Sequence, residues 1–355
     1  MVSELLQSLS QLGQKKVITL PPDLDVNISK LKSMYSIEKL GELYEKNFPA
    51  EIFSGEPHGL YDPVVHIMSI GGKRIRPLLC LLSADMFGNN PEAALHPAFG
   101  VEVFHNFTLV HDDIMDNADL RRGKPAVHTL YGINKGILSG DVMFAYAFKH
   151  VCMVDPLILP NVVEVFNKTA IEIFEGQQSD MDFEERNDVT IPEYLKMIEF
   201  KTSVLLGCAL KIGAIIGGAS KEDQDAIYKF GINLGLSFQI KDDLLDTFGE
   251  TAKVGKRIGG DILNNKKTYL YLTTQDMAND ADKTVLHDML CEADEIKKIE
   301  TVRNIMERSG AKQKTQEIIE FYFQEALKNL NEISVSEDQK TILTALAHQI
   351  NKREF

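Results

Sequence analysis

Helix signals follow one another along this chain with almost nothing else between them. In "YLKMIEFKTSVLLGCALKIG", residues 194 to 213, apolar side chains recur every three or four positions, the period of one helix face. Start signals recur as well: "TIPE" at 190 to 193 and "SKED" at 220 to 223 each place a hydroxyl cap three residues before an acid, and Asn90-Pro91 reads as a cap followed by proline at a first helical position. Apolar and polar residues nowhere alternate strictly over a strand length, so the sequence predicts an all-α protein of roughly ten helices with no sheet. The expected architecture is a single large helical bundle domain.

With 355 residues, 44% of them hydrophobic, the chain can bury a large core. Residues 1–35 are polar and broken by Pro21-Pro22, which predicts an N-terminal extension. No linker rich in Gly, Ser or Pro divides the remainder, so 36–355 is expected to form one all-α domain. The most apolar stretch, Val204 to Ala219, is interrupted by Lys211 and falls short of the about 20 residues that cross a bilayer, so no transmembrane segment is expected. Glu4 and the lack of a continuous apolar run argue against a secretory signal, and Cys80, Cys152, Cys208 and Cys291 form no CxxC pair; a cytoplasmic location is expected. A net charge of −14 argues against a nucleic-acid partner, because such binding neutralises phosphates with Lys and Arg.

Two aspartate clusters stand out against this background. Asp112, Asp113 and Asp116 occupy i, i+1 and i+4, and Asp242, Asp243 and Asp246 repeat that spacing further along. On a helix, i and i+4 share a face, so each cluster crowds like charges, and at a helix C-terminus the backbone dipole adds to the repulsion. A sequence that does this twice, each time after a strongly apolar run, is built to bind a cation, and carboxylate oxygens suit Mg²⁺ or Mn²⁺. An EF-hand fails because Ile114 and Asn117 stand where a ligand and the loop glycine belong, and a Walker loop fails because Arg257 follows Lys256.

Magnesium held by few carboxylates keeps positions open for phosphate oxygens. Basic stretches lie beside the acids: "GGKRIRP" at 71 to 77, Arg121-Arg122 after the first cluster, and "VGKRIGGDILNNKKT" at 254 to 268 after the second. Arginine forks match phosphate oxygens, and glycines let backbone approach them, so diphosphate recognition is expected.

These five ordered stretches, "GGKRIRP", "LVHDDIMDNADLRRGKP", "KTS", "FQIKDDLLD" and "GKRIGGDILNNKKT", resemble the trans-isoprenyl diphosphate synthases, the polyprenyl synthetase family, over about residues 40 to 350. The resemblance implies a Mg²⁺-dependent prenyltransferase that joins isopentenyl diphosphate head to tail to an allylic diphosphate, and a homodimer. It implies that Asp112, Asp116 and Asp242 ligate the metal, while Asp113, Asp243 and Asp246 support it through water or hold basic groups. By the same match, Arg121, Lys201 and Lys256 stabilise the departing diphosphate, and Gly72, Lys73, Arg76, His105 and Arg122 bind isopentenyl diphosphate. Lys201, Thr202 and Gln239 place oxygens near the carbocation, and Lys266 contacts diphosphate, with Lys267 as its neighbour. Phe107, the fifth residue before the first cluster, with Thr108 and Phe104, is implied as the floor that ends chain growth. Small Thr108 points to geranylgeranyl diphosphate as product, with farnesyl or a moderately longer diphosphate as the alternative. A terpene cyclase, a head-to-head condensing enzyme or an inactive partner subunit share parts of this pattern, but not both aspartate clusters together with "GGKRIRP".

Overall fold

The computed structural model describes residues 35–88, 90–249 and 259–351. Among them the chain runs through α1 (Ile37–Asn47), α2 (His58–Ser69), α3 (Ile75–Met86), α4 (Leu95–Met115), α5 (Val127–Tyr131), α6 (Ile133–Val151), α7 (Leu159–Glu185), α8 (Ile191–Ile198), α9 (Val204–Ile216) and α10 (Lys221–Phe248). It continues through α11 (Gly260–Leu263), α12 (Tyr269–Met277), α13 (Asp280–Met289), α14 (Glu295–Arg308), α15 (Ala311–Asn331) and α16 (Glu337–Asn351). The capping signals act where the sequence places them. Thr190 and Glu193 form a reciprocal capping box at the start of α8, and the Ser220 hydroxyl accepts the Asp223 N–H at 3.1 Å before α10. Asn90 caps a short 3₁₀ turn, Pro91–Ala94, by accepting the Glu92 N–H.

One departure from the all-helical expectation is a minimal antiparallel hairpin, Leu120–Arg121 paired with Lys124–Pro125. Its two-residue turn, Arg122 at φ 53° and Gly123 at φ 75°, has the double positive φ that the tightest hairpins require. Strands of two residues are too short to leave an alternating pattern in the sequence.

The described residues group into two compact units. One takes the chain up to Asn167, with Cys208–Asp225 and Ser334–Ile342; the other takes Lys168–Gly207, Ala226–Ile333 and the remainder from Leu343. Helix α4 runs through the core of the first unit, with Phe99, Val101, Val103 and Phe104 fully buried and Phe48 stacked on Phe99 at 4.2 Å between ring centres. The Ser83 hydroxyl donates to the Leu210 carbonyl at 2.7 Å and fixes α3 to α9 in that unit. In the second unit Tyr194 and Ile198 of α8, Leu236, Ile240 and Leu244 of α10, Leu270 of α12 and Ile305 of α14 share one apolar cluster. Each such side chain contributes about 1.5–3 kcal/mol by leaving water, and this burial holds the charged helix ends in place. No helix among the described residues is long and apolar enough to cross a membrane.

Candidate active site

The first aspartate cluster closes α4. Asn117 takes the left-handed conformation at φ 49°, the Ala118 N–H returns to the Asp113 carbonyl at 2.9 Å, and the Asn117 N–H returns to Ile114 at 3.3 Å. This Schellman-type ending satisfies the last carbonyls and stops the helix at Met115, with Asp116 as its C-cap. Asp112 is half-buried and Asp116 exposed, one turn apart, whereas Asp113 between them is 0% exposed. Asp113 is held by Arg121, whose Nε donates to both carboxylate oxygens at 3.0 and 3.2 Å and whose Nη2 makes a further short contact. The hairpin turn is what sends Arg121 back to its own helix end.

The next residue, Arg122, donates to the Gly71 carbonyl across the "GGKR" turn. Gly72 makes that fit possible: at φ +149°, a Cβ on it would lie 2.7 Å from Arg122 Nη1. Arg74 is committed elsewhere, to Glu102 Oε1 at 2.6 Å and to the Met68 carbonyl at 2.6 Å, and Glu102 also accepts from Asn106 Nδ2 at 3.1 Å. Arg76 is different. Among the described residues its buried Nε has no hydrogen-bond partner, and burial, followed by the nearby charge of Arg122, lowers its guanidinium to about 10. His105 lies in the same group; burial first, then Arg76, Arg122, Arg121 and Arg74, push its pKa well below the ordinary histidine value. Gly72, Arg76, His105, Arg121 and Arg122 are therefore drawn into one cation-rich cluster, with half-buried Lys73 adjoining it in the chain.

In the second unit the same aspartate spacing is supported differently. Asp243 is 9% exposed and accepts from the Tyr194 hydroxyl and, at 3.1 Å, from Gln239 Nε2. Burial, and then the charge of Asp261, raise its pKa well above the usual carboxylate range. Asp246 accepts the Asp261 N–H at 2.9 Å, and its carbonyl accepts the Gly259 N–H at 2.7 Å, so it fixes the start of α11. Asp242 is half-buried beside them.

A cavity of about 160 Å³ opens here, lined by Tyr194, Lys201, Thr202, Gln239, Asp243 and Lys266 among others. The Lys201 ammonium pairs with Asp180, and Thr202 Oγ1 donates to Gln239 Oε1 at 3.4 Å. Lys267 also lines the cavity, with its Nζ donating to the Glu184 carbonyl at 3.0 Å. Lys256 lies outside the described residues. Tyr269 is buried.

Phe107 is 6% exposed and Phe104 fully buried, their rings 5.5 Å apart. Phe144 of α6 lies 5.5 Å from Phe107 and 5.9 Å from Phe104, and Phe166 of α7 lies 5.2 Å from Phe104. Thr108 turns its hydroxyl back to the His105 carbonyl at 2.8 Å.

Three supporting residues escaped the sequence reading: Glu102, Asp180 and Tyr194. Glu102 leaves a trace, since it is a lone acid inside the apolar run "GVEVF". Asp180 sits among other acids in "SDMDFEE", and nothing in the sequence pairs Tyr194 with Asp243. Among the described residues, no group of three or more His, Cys, Asp or Glu side chains converges as a metal site.

This chemistry has counterparts of known kind. The family model described as Polyprenyl synthetase matches residues 57–308. A geranylgeranyl pyrophosphate synthase of Geoglobus acetivorans is 44% identical over 237 residues, 66% of this chain and 72% of the relative. A geranylgeranyl diphosphate synthase of Methanosarcina mazei is 37% identical over 84% of this chain and 91% of its own, and a geranylfarnesyl diphosphate synthase of Natronomonas pharaonis is 38% identical over 71% and 78%. A crystal structure of a geranylgeranyl pyrophosphate synthase, 46% identical, superposes with a TM-score of 0.86 over 91% of this chain and 100% of that one. The chain belongs to the polyprenyl synthetase family. It is a prenyltransferase with the all-α isoprenoid synthase fold.

Proposed function

We propose that the protein condenses isopentenyl diphosphate with an allylic diphosphate, head to tail, and that its main product is geranylgeranyl diphosphate. The observation that carries the reading is the burial pattern of the aspartates: in each cluster the middle carboxylate is buried against donors of the protein, while Asp112, Asp116, Asp242 and Asp246 are half-buried or exposed. Carboxylate oxygens fit a hard divalent cation, and a pair one turn apart cannot complete its coordination, which diphosphate oxygens and water then do. Asp112, Asp116 and Asp242 would hold Mg²⁺, with Mn²⁺ as a substitute. When bound, the ion supplies positive charge that stabilises the departing diphosphate.

The chain's own groups divide the remaining work. Arg121, aimed by Asp113, and Lys201, aimed by Asp180, take oxygens of the allylic diphosphate. Lys256 and Lys266 are assigned to the same diphosphate. Arg76, Arg122, Lys73 and His105, with the Gly72 backbone, take isopentenyl diphosphate, whose charge answers the buried Arg76 guanidinium. The allylic C–O bond breaks, the isopentenyl double bond attacks the allylic carbon, and the proton released from isopentenyl C2 passes to the free diphosphate. Oxygens of Lys201, Thr202 and Gln239 face the transient cation. Phe107, backed by Phe104 and Phe144 and flanked by Thr108, ends chain growth.

Exposed apolar residues on α6, among them Ile133, Ile137 and Phe148, support a homodimer, to be checked by sedimentation. All four cysteines are free thiols, in keeping with a cytoplasmic enzyme. A turnover assay with isopentenyl and allylic diphosphates tests the reaction: chelation should abolish product and added Mg²⁺ restore it. Phe107→Ala should lengthen the product by at least one five-carbon unit, and an unchanged product would remove the floor from that ring. A geranylfarnesyl product is the second reading, favoured by the relative from Natronomonas pharaonis.

A further inference from the structure

Five residues, Glu199–Ser203, join α8 to α9 as a π-turn, with the Val204 N–H donating to the Glu199 carbonyl. Such wide turns are uncommon inside helices and concentrate at functional sites. This one is gripped from two sides by glycines. A Cβ on Gly176 of α7 would lie 2.5 Å from the Lys201 backbone nitrogen and 2.9 Å from the Phe200 carbonyl carbon. A Cβ on Gly235 of α10 would lie 2.7 Å from Ser203 Cβ and Oγ and 2.8 Å from its Cα. Neither glycine has positive φ, and glycine inside a long helix is destabilising relative to alanine. Close approach of the turn is thus the reason for both.

One helical turn beyond each glycine lies the residue that latches the same segment's side chains. Asp180, four after Gly176, pairs with Lys201; Gln239, four after Gly235, accepts from Thr202. Each helix therefore offers a notch for the backbone and a latch for a side chain, on one face.

We infer that Gly176 and Gly235 are positioning residues that hold the Glu199–Ser203 π-turn in place and thereby present Lys201 and Thr202 to the allylic diphosphate. The inference rests on the reaction proposed above. Gly176→Ala and Gly235→Ala should each lower kcat/KM for the allylic substrate by tenfold to about a hundredfold, the scale of a misplacement of about 1 Å, while KM for isopentenyl diphosphate stays within about twofold. Gly207→Ala serves as the control: its Cβ would press on the Tyr228 ring at 3.0 Å, so it should lose stability and keep both constants. Folded Gly176 and Gly235 variants that keep the allylic constant, or that raise both KM values alike, would overturn the inference. Should neither variant fold, hydrogen exchange on the wild-type protein decides it. Amides 199–204 should be protected without ligand like those of α9; loop-like exchange until inorganic diphosphate and Mg²⁺ are added would refute the clamp. A wild type with no Mg²⁺-dependent elongation would instead refute the reaction, and the exchange result would still stand on its own.

Discussion

Asp113 and Asp243 occupy the same position in two identically spaced clusters, and the protein stabilises them by opposite means. Asp113 is met by a guanidinium: Arg121 reaches both oxygens and replaces the lost water with an ion pair. Among the described residues Asp243 receives neutral donors, Tyr194 and Gln239, and burial with Asp261 nearby favours its protonated form. The same spacing thus leaves the support behind each buried carboxylate free to differ. The outward aspartates, Asp112 and Asp242, are the common element.

If that common element carries the chemistry, the largest effects should be equal in the two clusters. Asp112→Ala and Asp242→Ala should each cut turnover on the order of 10³-fold with little change in thermal stability. Full activity in either variant would break the equivalence. The supports should then separate. Arg121→Met strands a buried carboxylate and should cost about 2–3 kcal/mol in urea unfolding, toward the low end for buried pairs because Arg121 is 29% exposed. Tyr194→Phe removes one neutral donor and should cost about 1–2 kcal/mol. The smallest difference is the sharpest: with metal chelated, Asp243→Asn should cost under about 1 kcal/mol, because an amide resembles the protonated acid, whereas Asp113→Asn should cost more by unpairing Arg121. Equal losses for the two Asn variants would mean that the supports do not differ as described.

Much of this architecture was legible in the sequence where local physics decides it. The capping box at Thr190 and the periodic apolar face of α8 and α9 needed only neighbours along the chain. The paired aspartates and the arginines after them give rise to the expectation of cation and anion binding through spacing alone. What could not be read depends on partners brought in by packing. Tyr194 reaches Asp243 from 49 residues away and Lys201 reaches Asp180 from 21, and no periodicity records either pair. The π-turn is equally silent, since one extra residue in a coil barely disturbs a helical pattern of apolar positions. Thr108 shows the limit of reasoning from one helix: a ring that meets Phe107 from outside α4 belongs to Phe144, on α6.

The most direct test is a turnover assay with labelled isopentenyl diphosphate, Mg²⁺ and each allylic primer from five to fifteen carbons, with product length read by mass spectrometry. A Mg²⁺-dependent ladder ending in a single twenty-carbon diphosphate is the expected result. No Mg²⁺-dependent elongation from any primer would contradict the account.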